Sequence, residues 1–224
     1  MKVPRKDAAR TRKRLLAAAG DAFAEQGYRT TTIGEICKRA RTNIAAVNYH
    51  FGSKAGLYAE AWRHAFLESV KVHPADGGVP DDAPAERRLR GRVTALLHRI
   101  ADQGNKEFWI VQKELVDSTG ILDEAMEEVL QPLSEKMDAL VRELLGPSAP
   151  EPQVHCCVIS IISQCINPMV AGRARRSKGN GNEDFAEIED IEAYADHVTK
   201  FSLAGIRALR RERAAKRRKS AKSK

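Results

Sequence analysis

Between residues 40 and 58 the chain reads ARTNIAAVNYHFGSKAGLY, which sets Asn43, Asn48, Tyr49, His50 and Lys54 close together. A core helix has no use for polar tips at this density. Three chemistries could use them: a nucleophilic site, a metal site, or a surface that meets nucleic acid. The first would pair His50 as a base with Cys37 as a nucleophile. An activated nucleophile needs its base oriented by a third group, and neither that group nor an oxyanion element accompanies the pair. For a metal, the four cysteines Cys37, Cys156, Cys157 and Cys165 include no C-x2-C pair, and the HCC at 155–157 lacks partners at ligand spacing. They are read as structural thiols. No catalytic residue, metal or cofactor is assigned, and the chain is not expected to be an enzyme. The third chemistry fits the residue types. Asn43 and Asn48 can present amides to a base edge, Tyr49 and His50 can donate to phosphate, and Lys54 lies at the next helix N-terminus.

Positioning these side chains takes two short helices and a tight turn. Thr32-x-x-Glu35 matches a capping box, and Ile33, Ile36, Cys37 and Ala40 then form an apolar face two turns long. A second short helix fits 43–49 with Asn43 as its N-cap, and it is thin at Ala45 and Ala46, where its backbone would sit deep in a major groove. Ahead of the pair, 11–26 carries Leu15, Leu16, Ala19, Ala22 and Phe23 on one stripe, stopped by Gly27. Behind it, Ser53 can cap a helix whose buried stripe is Leu57, Tyr58, Ala61, Trp62 and Phe66. A helix-turn-helix over about 32–51 is expected.

The remainder also has helical periodicity, over about 85–103, 105–118, 121–145, 151–172 and 190–213, with no convincing alternating strand. Pro132 and Pro168 fall inside two of these segments and should kink or interrupt them. The connector HPADGGVPDDAPA and the polar run 172–187 separate the helices. The fold class is therefore all-α. Charge is unevenly placed: 14 Lys/Arg against 6 Asp/Glu in 1–71, 15 against 23 in 72–209, and 9 against 1 in 210–224. Basic ends around an acidic middle point to an anionic partner at the ends. MKVPRKDAARTRKR is charged with no apolar run behind it, and no stretch approaches the ~18 apolar residues of a membrane span. A cytoplasmic protein with no membrane partner is expected.

In order and spacing, four pieces resemble the TetR family of bacterial transcription regulators: Phe23-Ala-Glu-Gln-Gly27-Tyr28, Thr31-Thr32, Tyr49-His50-Phe51 and Lys54-Ala-Gly-Leu57. The resemblance covers about 10–66. QKELVDSTGILDEAMEEVLQPL, IISQC and HVTKFSLAGIRAL make the C-terminal part similar to that family's cefoperazone-responsive subgroup. The resemblance implies a homodimer that binds a double-stranded DNA operator, with C-terminal helices forming an effector pocket and the dimer surface. The division expected is a DNA-binding domain over 1–71, a linker over 72–85, an effector-binding and dimerisation domain over 86–209, and a basic disordered tail over 210–224, with an extension of the last helix through Ala214 and Ala215 as the alternative for a turn or two. DNA contacts are expected from Thr31, Thr32, Arg41, Asn43, Ile44, Ala45, Ala46, Asn48, Tyr49, His50 and Lys54. Two positions depart from the pattern. Arg41 stands where the family often has glycine, which costs on the order of 1 kcal/mol if φ is positive, unless the turn differs or the side chain reaches the DNA backbone. Gly56 should weaken the first turn of its helix.

Phe108, Trp109, Gln112 and Leu115 lie where the resemblance places a small-molecule effector, and an aromatic wall with one amide suits an apolar ligand; plain core packing fits them equally. Gln164, a polar residue on an apolar helix, suits ligand or dimer contact. The dimer face is expected from Ile161, Ile162, Cys165 and Met169, opposite Phe201, Leu203 and Ile206. The reading is a ligand-responsive repressor. An activator of the same family, or a helical small-molecule-binding protein without operator binding, is the alternative.

Overall fold

The structure, a computed structural model, describes residues 5–102, 104–176, 188 and 190–222, with side chains described from 7 to 168 (except 103), at 188, and from 190 to 216. Among the described residues there are nine helices and no strand: α1 (Arg5–Gln26), α2 (Ile33–Arg39), α3 (Ile44–Phe51), α4 (Lys54–Val72), α5 (Ala85–Ala101), α6 (Lys106–Val116), α7 (Asp123–Leu145), α8 (Glu151–Arg176) and α9 (Ile191–Lys222). The all-α class holds. Neither Pro132 nor Pro168 ends its helix.

Two compact units form. The first joins residues 1–72 with 103–131, and the second joins 73–102 with 132–224. This differs from the contiguous division expected, because α6 and the front of α7 pack with the N-terminal helices. The division between the units falls between Gln131 and Pro132, inside a continuous α7.

The first unit is built on the stripes that the sequence shows. Leu15, Ala19, Ala22 and Phe23 of α1 meet Leu57, Tyr58, Ala61 and Trp62 of α4, all essentially buried. Phe23 and Tyr58 pack edge to face at 4.7 Å. A buried carboxylate then ties α6 to this core. Glu114 accepts from the Tyr58 hydroxyl at 3.0 Å, and from the Thr119 and Gly120 backbone N–H groups at 2.6 and 3.0 Å. A buried carboxylate is tolerated only when its lone pairs are satisfied in this way. Burial and the neighbouring Glu114 together push the Tyr58 hydroxyl far above its ordinary pKa.

In the second unit α5, the rear of α7, α8 and α9 bury Leu89, Val93, Leu97, Leu140, Val141, Val158, Ile161, Cys165, Val198 and Ile206. Arg90 forks onto Asp196 and Glu192 of α9. The connector before α5 is packed rather than loose: a Cβ at Gly77 would lie 2.4 Å from the Gly91 carbonyl oxygen.

The disordered tail expected over 210–224 is corrected as far as it is described, because α9 continues helical to Lys222. Alanine, arginine and lysine are strong helix formers. Arg213 also anchors this stretch, donating to the Leu145 carbonyl and, at 2.8 Å, to Gln153. The polar connector over 172–187 begins as the end of α8, and its residues from 177 onward lie outside the described residues.

Candidate nucleic-acid interface

Local hydrogen bonds fix α2 and α3 before any long-range contact. Thr32 Oγ1 accepts from the Glu35 backbone N–H at 3.2 Å, closing one half of the capping box. The Glu35 carboxylate does not return to Thr32; it accepts from Arg39 and Gln26 instead. Asn43 Oδ1 accepts from the Ala46 N–H at 3.0 Å and starts α3. In the turn between them Arg41 has φ 50°, the single positive-φ residue other than glycine among the described residues. The strain expected at this position is present.

The inner face of α3 is Val47, fully buried, packed with Ile36, Cys37 and Ala40. The outer face is open. Asn43, Ala45 and Asn48 are exposed, Ile44 is 54% exposed and Tyr49 is 80% exposed. Ala46 and His50 are half-buried. The His50 ring lies between those of Tyr49 and Phe51 at centroid distances of 4.9 and 5.9 Å. No Asp or Glu occurs between Glu35 and Glu60, whereas Lys38, Arg39, Arg41 and Lys54 all do. Arg39 is held by Glu25 and Glu35, which leaves Lys38 and Arg41, both exposed, as cations beside α3.

One expected contact is placed differently. Thr31 is fully buried, and its hydroxyl donates to the Gly27 carbonyl at 2.7 Å. It fastens the loop to the end of α1 and is not on the surface, which corrects its assignment as a DNA contact. Lys54 is half-buried, with its ammonium 4.4 Å from the Tyr28 ring centroid and 3.5 Å from the Arg29 carbonyl oxygen. Burial lowers its pKa. Arg12, outside the motif, stacks 5.3 Å from the Phe51 ring and pairs with Glu60, so it braces α3 and α4. Gly56 has a packing role in place of the weakening expected: a Cβ there would lie 2.3 Å from the Phe51 carbonyl oxygen. Neither role had a signal in the local pattern, since both partners come from another helix.

Cys37 is buried and its thiol pKa is raised by desolvation, opposite to what a nucleophile needs. Among the described residues no group of His, Cys, Asp and Glu is arranged to hold a metal.

The effector candidates are not brought together within either unit. Phe108, Trp109 and Gln112 are half-buried on α6 in the first unit, where the packed positions are Ile110 and Glu114. Leu115 is 77% exposed and lies off that packed face. Gln164 belongs to the second unit, where it lines an uncharged groove of about 480 Å³ between α8 and α9 with Cys156, Cys157, Ile161 and Phe201. The dimer face expected from the sequence is corrected in part: Ile161, Cys165, Leu203 and Ile206 are core residues of their own unit. Ile162 is half-buried, Phe201 is 66% exposed, and the Met169 side chain lies outside the described residues.

Residues 15–61 match the family model described as bacterial regulatory proteins of the tetR family, and residues 85–206 match that of the C-terminal domain of the HTH-type transcriptional dual regulator CecR. The chain is 30% identical over 151 residues to CecR of Shigella flexneri, covering 62% of this chain and 66% of that protein. It is 28% identical over 121 residues to the regulator SrpR of Pseudomonas putida, covering 54% of each. Against AcrR of Shigella flexneri it is 36% identical over 58 residues, 26% of this chain and 27% of that protein. The chain thus spans less than two thirds of the length of each of these relatives. Among solved structures, the fatty acid degradation regulator FadR of Bacillus halodurans superposes with TM-score 0.63 at 18% identity, over 86% of this chain and 98% of that one. A TetR-family regulator of Mesorhizobium loti gives 0.64 at 18% identity, over 90% and 98%. Among the described residues no helix is long and apolar enough to cross a membrane.

Proposed function

Because this chain belongs to the TetR family of bacterial transcription regulators, a family of DNA-binding proteins rather than enzymes, we propose that it is a ligand-responsive repressor acting in the cytoplasm as a homodimer on a pseudo-palindromic operator. The observation that carries this is the outer face of α3, which leaves Asn43, Ile44, Asn48 and Tyr49 exposed in a stretch with no carboxylate. Each copy would set α3 in a major groove, with half-sites about one helical turn apart. Asn43 and Asn48 read base edges. Thr32, Arg41, Tyr49, His50 and Lys54 meet phosphate, and Ile44, Ala45 and Ala46 meet the groove floor. The α8–α9 groove is the dimer contact, because it is uncharged and apolar and presents Phe201 to a second copy. A small-molecule effector, contacted by Phe108, Trp109, Gln112, Leu115 or Gln164, biases the spacing of the two α3 helices. Effector and operator then compete through one equilibrium. CecR, which the chain resembles, is named a dual regulator, so activation at some promoters is the second reading.

In vitro selection from random duplexes tests the operator reading. The wild-type protein should enrich a palindrome. Asn48→Ala should relax base preference at one position per half-site by about 1–3 kcal/mol, while Tyr49→Phe should weaken all sequences equally. Failure to enrich any palindrome would overturn the proposal.

A further inference from the structure

The matched C-terminal domain ends at residue 206, whereas α9 runs on to Lys222. Of residues 210–224, nine are Lys or Arg and one, Glu212, is acidic; the other five are Ala and Ser. Through Lys216, where side chains are described, Arg210, Arg211, Ala214, Ala215 and Lys216 are exposed. Arg213 alone turns inward to Leu145 and Gln153. As far as its side chains are described, the extension is thus a cationic helix hydrogen-bonded to its unit through Arg213.

We propose that this extension is a second DNA-binding surface, one that grips duplex phosphates without reading sequence. Three physical arguments favour that partner. A helix that binds a bilayer or an apolar groove needs an apolar face, and with nothing larger than alanine the extension has none in any register. Its spacing also places like charges three and four residues apart, as in Arg213–Arg217, Lys216–Lys219 and Arg218–Lys222. Such pairs repel along a helix, and a dense line of anions relieves the repulsion. Duplex DNA carries about one charge per 1.7 Å of axis; eight Lys/Arg among the thirteen residues 210–222, at a rise of about 1.5 Å per residue, make roughly one cation per 2.4 Å, a charge density of the same order. The choice of DNA over another polyanion rests on the operator-binding reading, since a protein seated on an operator holds its extension at high local concentration of duplex.

The test replaces Lys216, Arg217, Arg218, Lys219 and Lys222 together by glutamine in the full chain. Arg213 is kept, and glutamine preserves helix propensity. An unchanged urea midpoint establishes that the fold is intact. Both proteins are then titrated with a short duplex of random sequence at several salt concentrations. The variant should bind about tenfold or more weakly at low salt, and its log–log salt slope should flatten by roughly 0.9 for each phosphate no longer neutralised. Base preference in the selection should not change. Equal slopes would overturn the proposal. So would a changed base preference, or binding to vesicles of anionic lipid that the substitutions abolish while the DNA slopes stay equal. Because the titration uses random sequence, it gives a result whether or not the selection finds an operator, and the two readings fail separately.

Discussion

The outer face of α3 and the groove between α8 and α9 leave comparable aromatic and aliphatic surface in water. Tyr49 and Ile44 are 80% and 54% exposed on one, and Phe201, beside the half-buried Leu209, is 66% exposed along the other. What separates them is charge. Around α3 the chain has basic residues and no carboxylate from 36 to 59, whereas no Lys, Arg, Asp or Glu lines the groove. An exposed ring thus does not announce its partner by itself. A ring among uncompensated cations suits an anion-lined groove, and a ring in an uncharged apolar trough suits another protein surface.

The largest expected effect attacks the groove. Phe201→Glu adds a charge to an exposed position, so the fold survives, but a second copy would have to bury that charge. Monomers should result at micromolar concentration. Operator affinity should fall roughly 100-fold or more, because two linked half-site contacts become independent. Sedimentation and operator titration read both. Cys156 lies in the same groove and is exposed in one copy, so its alkylation rate should fall as protein concentration rises. Cys165, buried with its pKa pushed up to about 12 by desolvation, should stay unmodified throughout. Tyr49→Glu is the mirror experiment, expected to abolish DNA binding and leave sedimentation unchanged. If Phe201→Glu stays dimeric, the groove is not the dimer contact.

A smaller effect tests what holds α3 in place. Gly56→Ala drives a Cβ against the Phe51 carbonyl oxygen and should destabilise the protein by about 1–3 kcal/mol. Gly34→Ala, on exposed α2 with nothing nearer than 4.0 Å, should instead gain about 0.5–1 kcal/mol. Urea midpoints with opposite signs are expected, and a loss at both positions would contradict the packing role of Gly56.

These cases show what could be read from the chain alone. The helices α1 to α4 were legible because caps such as Thr32 and Asn43, and stripes such as Leu57, Tyr58 and Ala61, are local signals. Glu114 was not, because the donors that make a buried carboxylate tolerable arrive partly from Tyr58, far away in sequence. Nor could periodicity distinguish Ile161 and Ile206, which fill their own unit's core, from Phe201, which does not; a stripe identifies an apolar face but not what covers it. On α9 the lack of apolar periodicity past residue 209 suggests disorder, and the helix propensity of the same residues, with the Arg213 anchor, carries it on to Lys222.

The smallest effect concerns Arg41, where the comparison is sharpest because stability and binding should move in opposite directions. At φ 50° an L-residue gives up roughly 1–2 kcal/mol. Glycine removes that strain but adds unfolded-chain entropy of about 0.5–1 kcal/mol. Arg41→Gly should therefore gain about 0.5 kcal/mol net, a rise of roughly 1–2 °C in Tm for a chain of this size. If the side chain is kept for a phosphate, the same substitution should weaken binding to every sequence and flatten the salt slope by roughly 0.9. Arg41→Lys separates the two contributions, because it retains the charge and most of the strain and should leave both the Tm and the salt slope near wild type. Should Arg41→Gly raise Tm with no change in affinity at any salt concentration, DNA contact would no longer explain why this turn carries arginine. The phosphate contacts would then be confined to Thr32, Tyr49, His50 and Lys54.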